Sequence, residues 1–273
     1  MALIRRADHI FTGVYTPLDD GERLIGQIYQ SPKMASAHLN YLLITPETQP
    51  GALVSLLEGL IAQAGHWGTK QVIADLGSDS ELFPAFRKAG FSVLAKQRVF
   101  KCESPDRDHT RLFSGWRIWR SKDIQGMRRL YNTVVPPLIQ PVEPLTRREM
   151  LGLVYYDEKG GLQAYADLVY GPKGAWVLPI VHPRIEVSMT ALLSQLLVDL
   201  PDRNGRPIYL AARSYQPWIE QTLENMPVKA GPEQAVMVRY LALRQRVKAE
   251  IPFAALENGN PEPTFPFTPF ERH

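Results

Sequence analysis

An apolar helical stripe that occurs twice constrains this chain more than any other feature of its sequence. The first copy begins at Leu53 and the second at Met189, 136 positions later. In each copy the apolar residues fall at i, i+3, i+4, i+7, i+8 and i+11, the pattern of a helix that lies with one face on a sheet. The stripes are Leu53, Leu56, Leu57, Leu60, Ile61 and Ala64, then Met189, Leu192, Leu193, Leu196, Leu197 and Leu200.

Two shorter segments repeat in the same order at nearly the same spacing. The apolar segment at Val72 corresponds to the one at Ile208, and Gln97-Arg-Val-Phe corresponds to Gln234-Ala-Val-Met. Three matches in order indicate an internal duplication rather than chance similarity. Each half is therefore predicted to contain strands, a long helix, a strand, a short helix and a final strand. In the first half, Gly65 and Gly68 are expected to end the long helix.

The second half begins with a section that the first half lacks. Its pattern predicts a strand at 116–120, a helix at 123–132, a loop at Pro136-Pro137 and a short helix at 145–151. We predict a mixed α/β protein with two tandem domains, an incomplete one at 1–108 and a complete one at 109–246. Residues 247–273 are rich in proline and phenylalanine, which predicts an extended tail.

Composition and charge exclude several classes of protein. Hydrophobic residues make up 45% and charged residues 22% of the chain, which is typical of a globular protein. The 31 basic residues do not gather into a stripe, so a nucleic-acid partner is not favoured. Cys102 is the only cysteine, and no segment approaches the roughly 20 apolar residues of a membrane span. We expect a soluble, cytoplasmic protein without a metal site or a membrane partner.

The segment Phe86-Arg-Lys-Ala-Gly-Phe, with the element order around it, resembles the GNAT superfamily of N-acetyltransferases. In that family the segment reads Tyr-x-Lys-x-Gly-Phe. The resemblance covers both halves, from about residue 10 to residue 244. It implies tandem GNAT-like domains and, as an expected activity, acetyl transfer from acetyl-CoA to an amine.

The resemblance also implies where acetyl-CoA would bind. The family uses an Arg/Gln-x-x-Gly-x-Gly/Ala loop before the long helix, where backbone N–H groups hold the pyrophosphate. The aligned positions are Thr48, Gly51 and Leu53 in the first half and Arg184, Val187 and Met189 in the second. The candidate cofactor-binding residues are thus Gln49, which is next to the first position, Gly51 and Arg184. Because most of the pattern is lost, binding of acetyl-CoA is left open.

The catalytic positions implied by the resemblance are changed in both halves. The family tyrosine, which protonates the leaving thiolate, is replaced by Phe86 and by Leu223, and neither side chain can donate a proton. In the second half, Glu143, Arg213 and Tyr215 are the candidate residues of a ligand cleft.

We therefore predict a catalytically degenerate module that binds either a protein or a small ligand. The alternative is a CoA-dependent N-acetyltransferase with its active site in the second domain. The tail at 251–273 carries Phe265, Phe267 and Phe270, and we expect it to dock on the body or on a protein partner because exposed phenylalanines are unfavourable in water.

Overall fold

The computed structural model describes most of the chain between His9 and Leu241. The described ranges are 9–16, 23–31, 34–45, 48–102, 115–145, 151–201 and 205–241. They all belong to one compact unit. Within these ranges, no helix is long and apolar enough to cross a lipid bilayer. The predicted domain boundary near 108, most of the helix predicted at 145–151 and the tail lie outside the described residues.

The predicted order of elements is present in both halves. The elements of the first half are β1 (His9–Tyr15), β2 (Leu24–Gln30), β3 (Ser36–Leu43), α1 (Pro50–His66), β4 (Gln71–Gly77), α2 (Phe83–Lys88) and β5 (Ser92–Cys102). Those of the second are β6 (Arg117–Ile118), a 3-10 turn (Ser121–Asp123), α3 (Ile124–Val134), β7 (Leu151–Tyr156), β8 (Leu162–Gly171), β9 (Gly174–Val181), α4 (Met189–Asp199), β10 (Ile208–Arg213), α5 (Pro217–Glu224) and β11 (Lys229–Tyr240). The opening section β6–α3 has no described counterpart in the first half.

The two repeated stripes form α1 and α4, and most of their apolar residues are buried. Pro50 lies in the first turn of α1, where its missing N–H costs no hydrogen bond. One detail of the prediction is wrong, because α1 continues through Gly65 to His66. Gly68 follows with a φ of 75°, a conformation that glycine adopts without steric cost.

Both halves contribute to one eleven-stranded sheet, in which their final strands are exchanged. The strand order is β1-β2-β3-β4-β11-β5-β10-β9-β8-β7-β6. The last strand of the second half, β11, pairs antiparallel with β4 of the first half. The last strand of the first half, β5, pairs antiparallel with β10 of the second half. Each half therefore supplies the strand that completes the other.

The repeated glutamines mark the centre of this exchange. Gln97 of β5 and Gln234 of β11 occupy equivalent positions in the two copies, and the register pairs them directly. The Gln97 side chain donates a hydrogen bond of 3.0 Å to Oε1 of Gln234. Contact between equivalent residues is the signature of a two-fold relation between repeats.

Three hydrophobic clusters form the core. Helix α1 covers one face of the first half, and α4 covers the corresponding face of the second half. The third cluster lies against α3 and includes Ile73 of β4 and Val238 of β11 as well as residues of β7–β9. Helix α3 thus belongs to the second half but also covers strands from the exchange region.

Among the described residues, the outer strands of the first half carry exposed apolar side chains, as the lack of an opening section predicts. Side chains on β1 and β3 are strongly exposed, with Ile10 at 64% and Leu43 at 59%. Strand β1 also forms an edge of the sheet, with backbone groups available for pairing. This surface is available for contact with another segment or another molecule.

The first half is not expected to fold alone. In a fragment of residues 1–108, β4 would lose β11, and β5 would lose both of its neighbours. We expect no cooperative unfolding transition when the fragment is monitored by circular dichroism in urea, whereas the intact chain unfolds cooperatively. Mixing the fragment with residues 109–273 should restore the transition. A stable, monomeric 1–108 fragment would contradict the importance of the exchange.

Asp123 fixes the start of α3 against the sheet. Its side chain is 1% exposed and accepts two hydrogen bonds from the Arg117 guanidinium, at 2.8 and 2.7 Å. The hydroxyl of Tyr156 and the backbone N–H of Arg120 also donate to it, at 2.8 and 2.7 Å. Hydrogen bonding from Arg117 holds the pKa of Asp123 well below its usual range. The carboxylate is therefore ionised and joins β6, β7 and α3.

Replacing this carboxylate should destabilise the protein strongly. We expect Asp123→Ala to lower the free energy of unfolding by about 3 kcal/mol, because it leaves several donors without their acceptor. The matched control is Glu186→Ala, which removes the exposed ion pair that Glu186 makes with Lys159 at 2.6 Å, and little change is expected there. Urea denaturation at pH 7 compares the two variants, and equal losses would contradict the structural role of Asp123.

Candidate functional site

A cavity of about 370 Å³ lies on the face of the sheet beside α3, and both halves of the chain line it. This volume is near the lower end of the roughly 300–1,000 Å³ typical of small-molecule pockets. Its wall combines apolar and aromatic side chains with a few charged groups. The residues from the first half are Tyr29, Met34, His38, Ile73 and Asp75. The charged and aromatic residues from the second half are Tyr131, Glu143, Asp167, Trp176, Arg213 and Tyr215.

The structure brings together the three residues that the sequence singled out for a ligand cleft. A guanidinium nitrogen of Arg213, at the end of β10, lies 2.6 Å from Oε1 of Glu143. The hydroxyl of Tyr215 donates a hydrogen bond of 3.0 Å to Oε2 of the same carboxylate. Both charged side chains are mostly buried, at 11% and 13% exposure. This group forms one polar corner of the cavity.

The exchanged strand β5 also contacts this polar corner. The register places Arg213 of β10 opposite Gln97 of β5, and Arg213 donates a hydrogen bond to Oε1 of Gln97. Since Gln97 also bonds to Gln234, the guanidinium is tied to the centre of the sheet. Arg213 thus has a carboxylate partner on one side and an amide partner on the other.

Burial dominates the electrostatics of the cavity wall. It raises the pKa of Tyr215 and of Tyr131 well above the usual value, and the nearby Glu143 carboxylate adds to both shifts. Burial also lowers the pKa of His38, with Asp75 acting in the opposite direction. At neutral pH the two phenols keep their protons and the imidazole carries no charge.

Asp167 is a charged residue of the cavity wall that the sequence did not single out. It lies on β8, and burial raises the pKa of its carboxyl group to about 7. Its Oδ1 atom is buried and accepts no hydrogen bond from any residue that the structure describes. The available signal was the single carboxylate of a mostly apolar strand, between Ala166 and Leu168.

A buried glutamine closes the gap between β9 and β10. These parallel strands pair only from Ala175 to Val177 of β9, so the rest of β9 lies beyond the reach of β10. The Gln216 side chain donates a hydrogen bond to the carbonyl of Pro179 at 3.0 Å and accepts one from the N–H of Val181 at 2.9 Å. Gln216 is completely buried. One carbonyl and one N–H of β9 that β10 does not reach are therefore satisfied by a side chain of the same chain.

The three candidate cofactor-binding residues lie away from the cavity wall. Gln49 precedes α1 and is exposed, and Gly51 lies in the first turn with open space where a side chain would project. Arg184 is exposed in the loop between β9 and α4, where its backbone N–H donates to Nδ1 of His182 at 3.2 Å. The structure brings none of them to the polar corner.

The Phe86–Phe91 segment forms the end of a helix. The N–H of Gly90 donates to the carbonyl of Arg87, and the N–H of Phe91 donates to the carbonyl of Phe86, which is the hydrogen-bond pattern of a Schellman motif. Gly90 has a φ of 82°, and the rings of Phe86 and Phe91 are in contact at 5.2 Å between centroids. Phe86 and its counterpart Leu223 are both buried, at 1% and 0% exposure. These two positions are part of the core.

Comparison with known proteins finds similarity in fold rather than in sequence. No protein-family model and no curated protein matches the sequence. A conserved protein of unknown function from Staphylococcus epidermidis aligns with a TM-score of 0.57 and 10% identity, over 80% of this chain and 91% of its own. A GCN5-related N-acetyltransferase from Sphaerobacter thermophilus aligns with a TM-score of 0.49 and 12% identity, over 81% and 78%.

A tandem GNAT protein from the clavulanic acid biosynthesis pathway also aligns, with a TM-score of 0.46 and 13% identity, over 86% of this chain and 83% of its own. At such identities the likeness concerns the fold alone. The structure confirms the predicted mixed α/β sheet, built from two halves with the same order of elements.

The raised pKa of Asp167 predicts how the stability of the protein varies with pH. The unfolded carboxyl titrates near pH 3.9, whereas the folded one titrates near 7, so the native state holds a proton that the unfolded state has lost. Stability contributed by this group therefore falls as pH rises from about 4 to 7. We expect the melting temperature of Asp167→Asn to equal that of wild type at pH 4 and to be several degrees higher at pH 8. For a chain of this size, each kcal/mol of stability shifts the melting temperature by roughly 2–4 °C.

Scanning calorimetry across pH 4 to 8 measures this difference. Asp75→Asn, which removes an exposed carboxylate from the same cavity, is the control and should show no such pH-dependent gain. A stability difference between Asp167→Asn and wild type that does not vary with pH would contradict the assignment.

Proposed function

We propose that this tandem GNAT-like protein is catalytically degenerate and binds a small molecule in the cavity between its two halves. The observation that carries the proposal is the convergence of Glu143, Arg213, Tyr215 and Asp167 on one cavity built by both repeats. Small-molecule sites characteristically combine an apolar wall with a few convergent polar groups. Buried groups with strongly shifted pKa values also concentrate at functional sites.

The positions of the family's catalytic residues support the loss of activity. Phe86 and Leu223 stand where the family has its acid, and both are core residues without a titratable group. Gln216 fills the gap between β9 and β10 of the second half, the domain in which the alternative of a working acetyltransferase has its active site. The exposed positions of Gln49, Gly51 and Arg184 give no sign of a converging cofactor site.

The cavity also favours a small ligand over a protein partner. A protein partner binds an exposed surface, whereas the polar corner of this protein is buried beside a concave wall. The predicted role of the C-terminal tail in binding a partner falls outside the described residues and does not bear on the cavity.

The test compares ligand binding with and without the cavity. We propose ligand-observed NMR with a set of small fragments on wild type and on Leu178→Trp, which places a large side chain in the cavity wall. The matched control is Val93→Trp, on a strand position that is 38% exposed and does not line the cavity. We expect binding to wild type and to the control, and a loss of roughly tenfold or more, equivalent to about 1.4 kcal/mol, in Leu178→Trp.

Calorimetric titration with acetyl-CoA addresses the alternative directly. The proposed function predicts no saturable heat and no acetyl transfer to amines. Saturable binding accompanied by turnover would favour a working acetyltransferase. Equal fragment binding by wild type and Leu178→Trp would show that the cavity is not the site.

A further inference from the structure

Strand β1 ends the sheet without the features that usually protect an edge strand. Among the described residues, β1 pairs with β2 on one side and has no neighbour on the other. All seven residues from His9 to Tyr15 pair with β2 in one unbroken register, without a bulge. The strand contains no lysine, arginine, carboxylate or proline. Natural edge strands are normally kept from pairing by charges, prolines, bulges or short length.

The opposite edge of the sheet differs in each of these respects. There β6 is only two residues long, Arg117 and Ile118, and one of the two is charged. Such an edge offers few backbone groups and repels an identical strand. Strand β1, with seven residues, presents a full row of backbone groups along its outer side. It is therefore the edge at which the sheet can be extended.

Both faces of β1 suit pairing with an identical strand. When two copies of β1 pair antiparallel over their full length, Thr12 of each copy lies on the two-fold axis. Ile10 then lies opposite the partner's Val14, and these side chains are 64% and 57% exposed in the single chain. On the other face, Phe11 lies opposite the partner's Gly13, an arrangement that offsets the weak strand propensity of glycine. The pairing thus covers exposed apolar side chains on one face and matches a large residue with a small one on the other.

A row of polar side chains leads across the sheet to the same axis. Asn40 of β3 donates a hydrogen bond of 2.7 Å to Oε1 of Gln27 on β2. The Gln27 amide in turn donates one of 2.9 Å to Oγ1 of Thr12. Since Thr12 accepts this hydrogen bond, its own O–H can donate to a further acceptor. In a two-fold pair that acceptor is Oγ1 of the partner's Thr12, because threonines directly opposite each other form hydrogen bonds across strands.

The order of charges along the sequence is also complementary to a second copy. Residues 1–8 contain two arginines and one aspartate, whereas residues 16–22 contain three carboxylates and no basic residue. Antiparallel pairing directs the sequence before one strand towards the sequence after the other. A net positive segment and a net negative segment therefore correspond at both ends of the pair, which favours association. Uncharged residues between them avoid the repulsion that like charges cause in a pair of identical strands.

We propose that two copies of this chain associate through β1, paired antiparallel across a two-fold axis at Thr12, so that the sheet continues from one copy into the other. This surface is distinct from that of the proposed function, since none of the seven residues of β1 lines the cavity. Pairing over β1 covers about 24 Å of strand. That is less than a standard interface provides, so we expect a weak dimer with a micromolar Kd.

Sedimentation velocity of the full-length chain tests the association directly. From about 2 μM to about 200 μM, we expect the sedimentation coefficient to rise from that of a monomer to that of a dimer. Thr12→Lys should abolish this rise, because it places two like charges directly opposite each other on the axis. Thr12→Glu should abolish it for the same reason. Unchanged melting temperatures show that both variants are folded.

A mixture of the two variants tests the axis itself. Equimolar Thr12→Lys and Thr12→Glu should recover the dimer, because opposite charges then face each other. Native mass spectrometry should show that the recovered dimer contains one copy of each variant. Mixing would not repair a folding defect in either chain, so the recovery identifies Thr12 as the residue on the axis. A mixture that stays monomeric although both variants are folded would overturn the proposed register.

Leu43→Lys is the matched control. Leu43 is 59% exposed and lies on β3, two strands from the edge. We expect this variant to dimerise as wild type does. If Leu43→Lys abolished the dimer and Thr12→Lys did not, the copies would associate through the exposed face of the sheet, and pairing through β1 would be wrong. A wild-type chain that stays monomeric at every concentration would also overturn the inference and leave β1 to a strand of another protein.

Discussion

The exchange of final strands is the constraint on which the rest of this structure depends. Because β11 lies between β4 and β5, and β5 lies against β10, backbone hydrogen bonds join the two repeats through the centre of the sheet. Neither repeat has a complete sheet of its own. The same arrangement places strands of both halves against α3, so this one helix packs on a hydrophobic cluster to which both repeats contribute. The anchoring of α3 by Asp123 consequently affects both halves.

The cavity is a direct result of that exchange. Arg213 meets Gln97 only because β10 and β5 come from different repeats and pair with each other. From that position the guanidinium reaches Glu143, which in turn receives the Tyr215 hydroxyl. The equivalent glutamines, Gln97 and Gln234, bond to each other where the repeats meet. The cavity therefore lies where the two repeats meet, and neither Phe86 nor Leu223 lines it.

Within this site, Asp167 and Glu143 illustrate two ways of burying a carboxylate. Glu143 has Arg213 and Tyr215 as partners, so its charge is compensated by the protein. The Oδ1 atom of Asp167 has no such partner among the described residues, and burial raises the pKa of the group to about 7. An uncompensated acceptor is retained at a cost in stability.

The sequence by itself determined the helices and strands, because their periodicities are local. The stripes at Leu53 and Met189 predicted α1, α4 and the duplication. It also predicted Glu143, Arg213 and Tyr215 as a candidate group, and the structure places them in contact. Only the tertiary structure decided that the last strands are exchanged, since β5 can pair with either repeat using the same alternation of side chains. It alone revealed Asp167 and Gln216, because burial and the satisfaction of polar groups depend on residues that are distant in sequence.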